Sequence, residues 1–543
     1  MRNFSKGLHL GIAPRAYQLN ETPHCWNIDF YPEGTISKRT GYSLKHTGSM
    51  DGSGSPVTWL EQFFTSQGAD YLIGFTAVSA GCDSGSVYHW NSATDSWTHM
   101  GSSIQGSAWT PEYTDHIKTE TFADYIIAMN STSDNPIYWD ASGASWETIP
   151  ASFAAGYTYQ ATKDSLGAAI SAMVPCKAIK GYKNYLFIAN TVEGGVTYNS
   201  RVRWSDLEDP FAWPSSNYID LDPNDGDYIV AMEILGDNLI VFKERKIYSI
   251  SYIGGIYVFD SELKVEGRGC TSPQSITSIY NDLIFAAEDG IYAFTGHDIE
   301  DTSYKIKDAI VDINPTNRDI IQSAPLEEKN QLWFIAPSGA SNTCNVAFVY
   351  DYDQECWSIN SMDLSSLGFY YITDDLTMAD LDDVWDAYTQ AWDERFSLAN
   401  TSVLIVGTYD GKVGDSGYSS SDGGSDIVGI YRTPWLDMGE PRLTKRLMRI
   451  TFFVRDEGTA GYNLTWRLRT DYDDLQTPVE SGELSLSGGH AGYMIEKRID
   501  ITQQAKSFQL EFRTDQKNEP WRVYEVHVDY TMKGSPSVDS EKA

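Results

Sequence analysis

Carboxylates are the residues of this sequence most able to do chemistry. Between positions 374 and 396 it reads DDLTMADLDDVWDAYTQAWDERF, with eight of them. Asp380, Asp382, Asp383 and Asp386 could hold a hard cation such as Ca²⁺ through oxygen ligands. An EF-hand loop, however, needs a glycine at its sixth position and a glutamate at its twelfth, and this stretch has neither. The better expectation is a solvated acidic surface that also includes Asp374 and Asp375. Trp385, Tyr388 and Trp392 follow one another at i, i+3 and i+7, which places them on one face of a helix.

Ser420-Ser-Asp-Gly-Gly424 echoes the turn of sialidase blades, but Ile427 stands where the tryptophan should be. No GxSxG elbow, P-loop, HExxH helix or strand-linked GxGxxG occurs. Carboxylates are so abundant that a pair at glycosidase separation arises without selection. The 34 Tyr and 16 Trp could stack on sugars, yet blades of a β-propeller use such rings in their cores. No catalytic residue, cofactor or metal is therefore expected, and the chain reads as a non-enzyme. The remaining candidates are basic: Arg442, Lys445, Arg446 and Arg449 in one short stretch, and Lys38 and Arg39 near the N-terminus. They could contact acidic partner proteins. Alternatively, they form a charged strand edge that discourages aggregation.

The whole chain has 543 residues and a formal charge of −35, which excludes a general DNA-coating or anionic-membrane surface. Its aromatic content of 13% excludes a disordered acidic tail, because such tails lack the residues of a core. The imbalance is local. Residues 1–46 carry a net of about +3, residues 432–543 about −2 and residues 47–431 about −36. Besides aiding solubility, such a surface lets a polyanion pass without sticking. No secretory leader and no run long enough to span a membrane is expected. Cys25, Cys82, Cys176, Cys270, Cys344 and Cys356 are scattered without a CxxC, as reduced thiols made in a reducing cytoplasm would be.

The acidic middle repeats itself. A short apolar strand, a Gly/Asp/Asn turn and an aromatic second strand recur: Tyr71–Phe75 with Val87–Trp90, Tyr125–Met129 with Ile137–Trp139, and Tyr185–Ala189 with Val202–Trp204. The series continues with Asn238–Phe242 and Ile247–Ile250, Asp282–Ala286 and Gly290–Phe294, and Gln331–Ile335 and Val346–Tyr350. Val403–Val406 with Gly411–Val413 is a seventh copy. The starts lie about 45 to 70 residues apart, and each unit is a set of hairpins that cannot bury both faces alone. The pattern predicts a six- or seven-bladed β-propeller over residues 47–431, with loop insertions near 205–228 and 351–400. After the Gly/Ser-rich stretch 414–426, residues 432–532 alternate apolar with polar in strand-length runs and predict a β-sandwich. Residues 1–46 read as an N-terminal arm and first strand, and 533–543 as a mobile tail.

Specific stretches resemble a known family. Glu21-Thr-Pro-His-Cys-Trp-Asn-Ile-Asp-Phe-Tyr-Pro-Glu-Gly-Thr-Ile-Ser-Lys-Arg-Thr-Gly-Tyr42 resembles the opening of short-tailed bacteriophage tail proteins. Arg203-Trp-Ser-Asp-Leu-Glu-Asp-Pro210, Ile229–Lys243 with Ile247–Ile250, Gly267-Arg-Gly-Cys-Thr-Ser272 and Asp289–Phe294 follow in the order seen in the tail nozzle or hub proteins of podoviruses, also called tail tubular or DNA-stabilisation proteins. The similarity spans most of residues 20–300. It implies a virion structural protein, made in a bacterial host, whose typically six copies form a ring beneath the portal's adaptor. Such a ring lines the DNA exit channel without binding DNA specifically, helps retain the genome, and docks tail fibres, a tailspike, or a plug or needle protein. A receptor- or glycan-binding propeller, or a glycosidase, is the alternative.

Overall fold

A computed structural model describes residues 3–77, 86–92, 94–100, 109–112, 114–143, 145–148, 173–193, 195–214, 216–255, 258–371, 402–458, 461–472, 478–514 and 519–533. The architecture is a seven-bladed β-propeller joined to a two-sheet β-sandwich. Each blade is one four-stranded antiparallel sheet, and in blades 1 to 6 neighbouring strands pair in chain order. Blade 1 runs Val57–Phe64, Asp70–Thr76, Ser86–Asn91 and Ser96–His99; blade 2 Ile117–Phe122, Tyr125–Asn130, Ile137–Trp139 and Glu147–Thr148. Blade 3 runs Cys176–Tyr182, Tyr185–Glu193, Val196–Trp204 and Tyr218–Asp220; blade 4 Ile229–Leu235, Asn238–Lys243, Lys246–Tyr252 and Phe259–Glu266. Blade 5 comprises Thr277–Ile279, Asp282–Ala286, Ile291–Phe294 and Ile299–Asp301; blade 6 Gln322–Leu326, Gln331–Ala336, Val346–Asp351 and Cys356–Ser361.

Tight hairpins make such short strands possible. Ala123-Asp124 and Lys183-Asn184 join first to second strands in blades 2 and 3, with positive φ at both central residues, the backbone that matches strand twist in two-residue turns. Between consecutive blades lies one apolar layer. Phe63, Phe75, Ile126 and Trp139 fill it between blades 1 and 2, and Val57, Leu60, Ile405 and Val413 close the circle between blades 7 and 1. The seven repeat pairs in the sequence are the middle strands of the seven blades. They read as unbroken apolar runs because both of their faces are covered.

Blade 7 is composite. Ser366–Tyr371, Ser402–Gly407 and Val413–Ser419 supply three strands, and the fourth is Gly41–Leu44 from the start of the chain. A side chain at Gly41 would place its Cβ 2.2 Å from the carbonyl oxygen of Ser421, so the closure needs glycine there. Residues 1–46 are thus no separate arm. His24–Trp26 and Ile28–Asp29 with Ile36–Lys38 enter the two sheets of the sandwich, and Phe4 and Leu8 lie in the core. The insertion expected over 351–400 also divides: Cys356–Ser361 and Ser366–Tyr371 are blade strands. Val413–Ser419 likewise lies within a blade, although its Gly/Ser content reads as linker.

In the sandwich, His24–Trp26, Gly429–Arg432, Phe508–Thr514, Asn463–Thr470 and Glu480–Ser485 form a five-stranded sheet in that order. The other sheet orders Ile28–Asp29, Ile36–Lys38, Arg522–Lys533, Thr444–Arg455 and Met494–Asp500, with Gln504–Ala505 beside Thr444–Arg455. Tyr431, Phe452, Trp466 and Phe512 pack between them in a core continuous with the layer between blades 5 and 6. Five described cysteines are free and buried; Cys82 and the 534–543 tail lie outside the described residues. No helix among the described residues is long and apolar enough to cross a membrane.

Candidate docking surfaces

Strand alternation decides which basic residues can meet a partner. Along Thr444–Arg455, Leu447, Ile450, Phe452 and Val454 point into the sandwich. A period of two from Leu447 carries Lys445 inward as well, while Arg446 and Met448 face out. The Lys445 ammonium is buried and donates to the backbone carbonyls of Glu440 and Lys506, and burial lowers its pKa. Arg442 and Arg446 are exposed, and Arg449 is half-exposed with its Nε 2.9 Å from Asp500 Oδ1. Beside Arg449 opens a groove of about 500 Å³ lined by Met448, Val528, Asp529 and Tyr530.

Lys38 and Arg39 are internal as well, which corrects the expectation that they face a partner. Burial and the neighbouring Arg39 charge push the Lys38 ammonium down to about 8, and it donates to the Glu519 carbonyl at 3.4 Å. Arg39 is 3% exposed and occupies the joint between sandwich and propeller. Its guanidinium donates to Asn27 Oδ1 at 2.8 Å, Asp422 Oδ1 at 2.8 Å and Oδ2 at 2.5 Å, Ser361 O at 3.0 Å and Thr40 O at 3.2 Å. Asp374, Asp375, Asp380, Asp382, Asp383 and Asp386 lie outside the described residues.

The first strands of blades 1 to 4 bring together an ionic network that sequence reading missed. Lys180 Nζ lies 2.8 Å from Glu233 and 3.4 Å from Glu120, and Lys118 Nζ lies 3.9 Å from Glu233. Burial raises the Glu120 carboxyl and also works on Glu233, where the Lys180 and Lys118 charges outweigh it and hold the group low. The shorter contact explains the difference. Glu61 touches no lysine and accepts from the Thr119 hydroxyl at 3.2 Å. Burial, with repulsion from Glu120, pushes its carboxyl up to about 7. Polar residues interrupting otherwise apolar first strands were the available signal, but their convergence depends on the circular blade order.

A second acidic group has the composition of a cation loop. Asp222 and Asp225 in the connection from blade 3 to blade 4 face Lys243, whose Nζ lies 2.9 Å from Asp225 Oδ2, and Lys246, 3.2 Å from Asp222 and 3.1 Å from Asp225. Two ammonium groups thus stand where a divalent cation would. Among the described residues no cluster of three or more His, Cys, Asp or Glu is arranged to hold a metal.

No protein-family model matches the chain, and no curated protein matches it. Among solved structures, an extracellular domain from B. thetaiotaomicron (BT4673) aligns at 10% identity and a TM-score of 0.30, covering 56% of this chain and 39% of that one. The chain therefore spans well under half of that structure's length. The WD40 domain of Neurospora crassa Pan2 aligns at 8% identity and a TM-score of 0.34, covering 70% of this chain and 95% of that one.

Proposed function

We propose that this chain is a structural subunit of a short-tailed bacteriophage tail. In this reading copies assemble into a nozzle or hub ring, six by family resemblance, below the adaptor. The ring extends the DNA exit channel, helps retain the genome, and offers docking surface to fibres or a plug. The observation that carries the reading is the joint between the two domains. A channel subunit must hold its DNA-facing surface at a fixed angle to its neighbour contacts, and here the sandwich core runs into the layer between blades 5 and 6 while Arg39 ties strand, blade and closure together. The charge distribution supports it too: residues 47–431 carry about −36, a surface from which a polyanion slides away. The resemblance of the motif order to podovirus nozzle proteins points the same way.

Electron-microscope class averages and native mass of the purified protein, alone and mixed with candidate adaptor rings, test this. A closed ring with a central channel is expected in at least one of the two conditions. Monomers that persist beside every tail component overturn it, and binding of a surface polysaccharide by those monomers would establish a glycan-binding propeller instead.

A further inference from the structure

The outer face of the five-stranded sheet concentrates arginine. Register aligns His24, Arg432, Glu511, Arg467 and Ser481 in one row across the five strands. Arg469 and Arg513 stand two residues away on the same face. At the centre the Glu511 carboxylate accepts from Arg432 Nε at 2.7 Å, Arg469 Nη2 at 2.8 Å and Arg467 Nη1 at 3.2 Å. One negative charge thus holds three guanidiniums and cancels one of them. Glu511 is only 2% exposed, whereas Arg432 is 27% and Arg467 33% exposed. Each of these two spends a single N–H on Glu511 and keeps part of its guanidinium open to solvent. Burial and the neighbouring arginines keep the His24 imidazole neutral near pH 7, so it adds no charge.

We propose that this arginine face is the surface with which one copy of the chain grips the acidic propeller of the next copy. The inference rests on the ring reading above and names its adhesive. Charge complementarity selects the occupant: the most abundant acidic surface available to an assembling copy is another copy, whose residues 47–431 carry about −36. The contact joins unlike surfaces, sheet face to blade, and a heterologous contact of this kind generates a closed ring where its rotation closes. Duplex DNA also suits arginine, but a chain of net charge −35 repels it at long range.

The test compares wild type with Ser481→Glu and with Arg432→Glu/Arg467→Glu by native mass and sedimentation over a salt series. Ser481 is exposed beside Arg467 and outside the Glu511 clamp, so its replacement leaves folding intact even where the double variant does not fold. Ser481→Glu is expected to weaken self-association about tenfold at low salt, and the double variant to remain monomeric. Rings of Ser481→Glu as stable as wild type overturn the arginine contact while leaving the ring reading intact. Wild type that forms no ring at any salt, alone or mixed with candidate adaptor rings, overturns both. Short duplex DNA bound by wild type and lost in Ser481→Glu, with rings unchanged, makes the face a nucleic-acid surface and refutes the proposal.

Discussion

Replacing Arg39 with alanine separates an internal joint from a docking residue. The guanidinium makes five hydrogen bonds, two of them to the Asp422 carboxylate. Hydrogen bonds to charged groups contribute about 1.5–3 kcal/mol each. Their sum overstates the effect, because the arginine's own desolvation is relieved when it is removed. Breaking a buried pair from one side costs about 3–5 kcal/mol. Asp422 keeps 17% exposure and recovers some water, which places the loss near the lower end, about 3 kcal/mol. Arg39→Lys keeps the charge but loses the planar fork, and should fall between alanine and wild type. Urea unfolding followed by tryptophan fluorescence and circular dichroism measures this, and in Arg39→Ala the two probes should separate as sandwich and propeller lose their shared tie. A change within about 0.5 kcal/mol of wild type, the range of ordinary surface substitutions, would refute the assignment.

Lys180→Met leaves Glu120 and Glu233 facing each other and should cost about 3–5 kcal/mol, read as a lowered urea midpoint; an unchanged midpoint would show that the two carboxylates do not depend on it. Because the Glu61 carboxyl is raised to about 7, the folded chain holds that proton more tightly than the unfolded one. Its contribution is fully present below about pH 4.5 and is lost as pH rises through about 7. Wild type should therefore lose on the order of 2–3 kcal/mol relative to Glu61→Gln between about pH 5 and 8, and parallel pH profiles would contradict this. Deleting residues 2–46 removes the outer strand of blade 7 and strands of both sandwich sheets, so limited proteolysis should cut within blade 7 at once; resistance equal to wild type would restore the arm.

Much of the propeller was legible because its middle strands are covered on both sides. Asn238–Phe242 or Gln331–Ile335 reads as strand without any tertiary knowledge. First strands were less visible: Ile117–Phe122 alternates Lys118 and Glu120 with apolar or small residues, and only the blade circle supplies their partners. Gly41–Leu44 carries no local sign that it pairs with residues 414–419, since nothing in a four-residue strand encodes so distant a partner. At the docking surfaces, Lys445 reads as a partner contact because the inward Ile450, Phe452 and Val454 set an alternation that points it outward, and the register shift between Leu447 and Arg449 that turns it inside leaves no mark in the sequence. The Glu511 clamp was beyond local reading, because its members come from strands that begin at residues 429, 463 and 508 and meet only through sheet order.

The closure of blade 7 by Gly41–Leu44 sets a clock on biosynthesis. At about 5 to 20 residues per second, the 543 residues take roughly 30 to 110 s to emerge from a ribosome. Blades 1 to 6 can form as they appear, each from contiguous chain. The opening strands cannot, since Thr22 bonds to the Arg432 carbonyl 410 residues away and Ile36 pairs with Val523. For most of synthesis the first strands wait with their edges open, and such edges invite pairing with other nascent chains. Polysomes making this protein should therefore benefit from a chaperone that shields the N-terminal segment until the sandwich is complete.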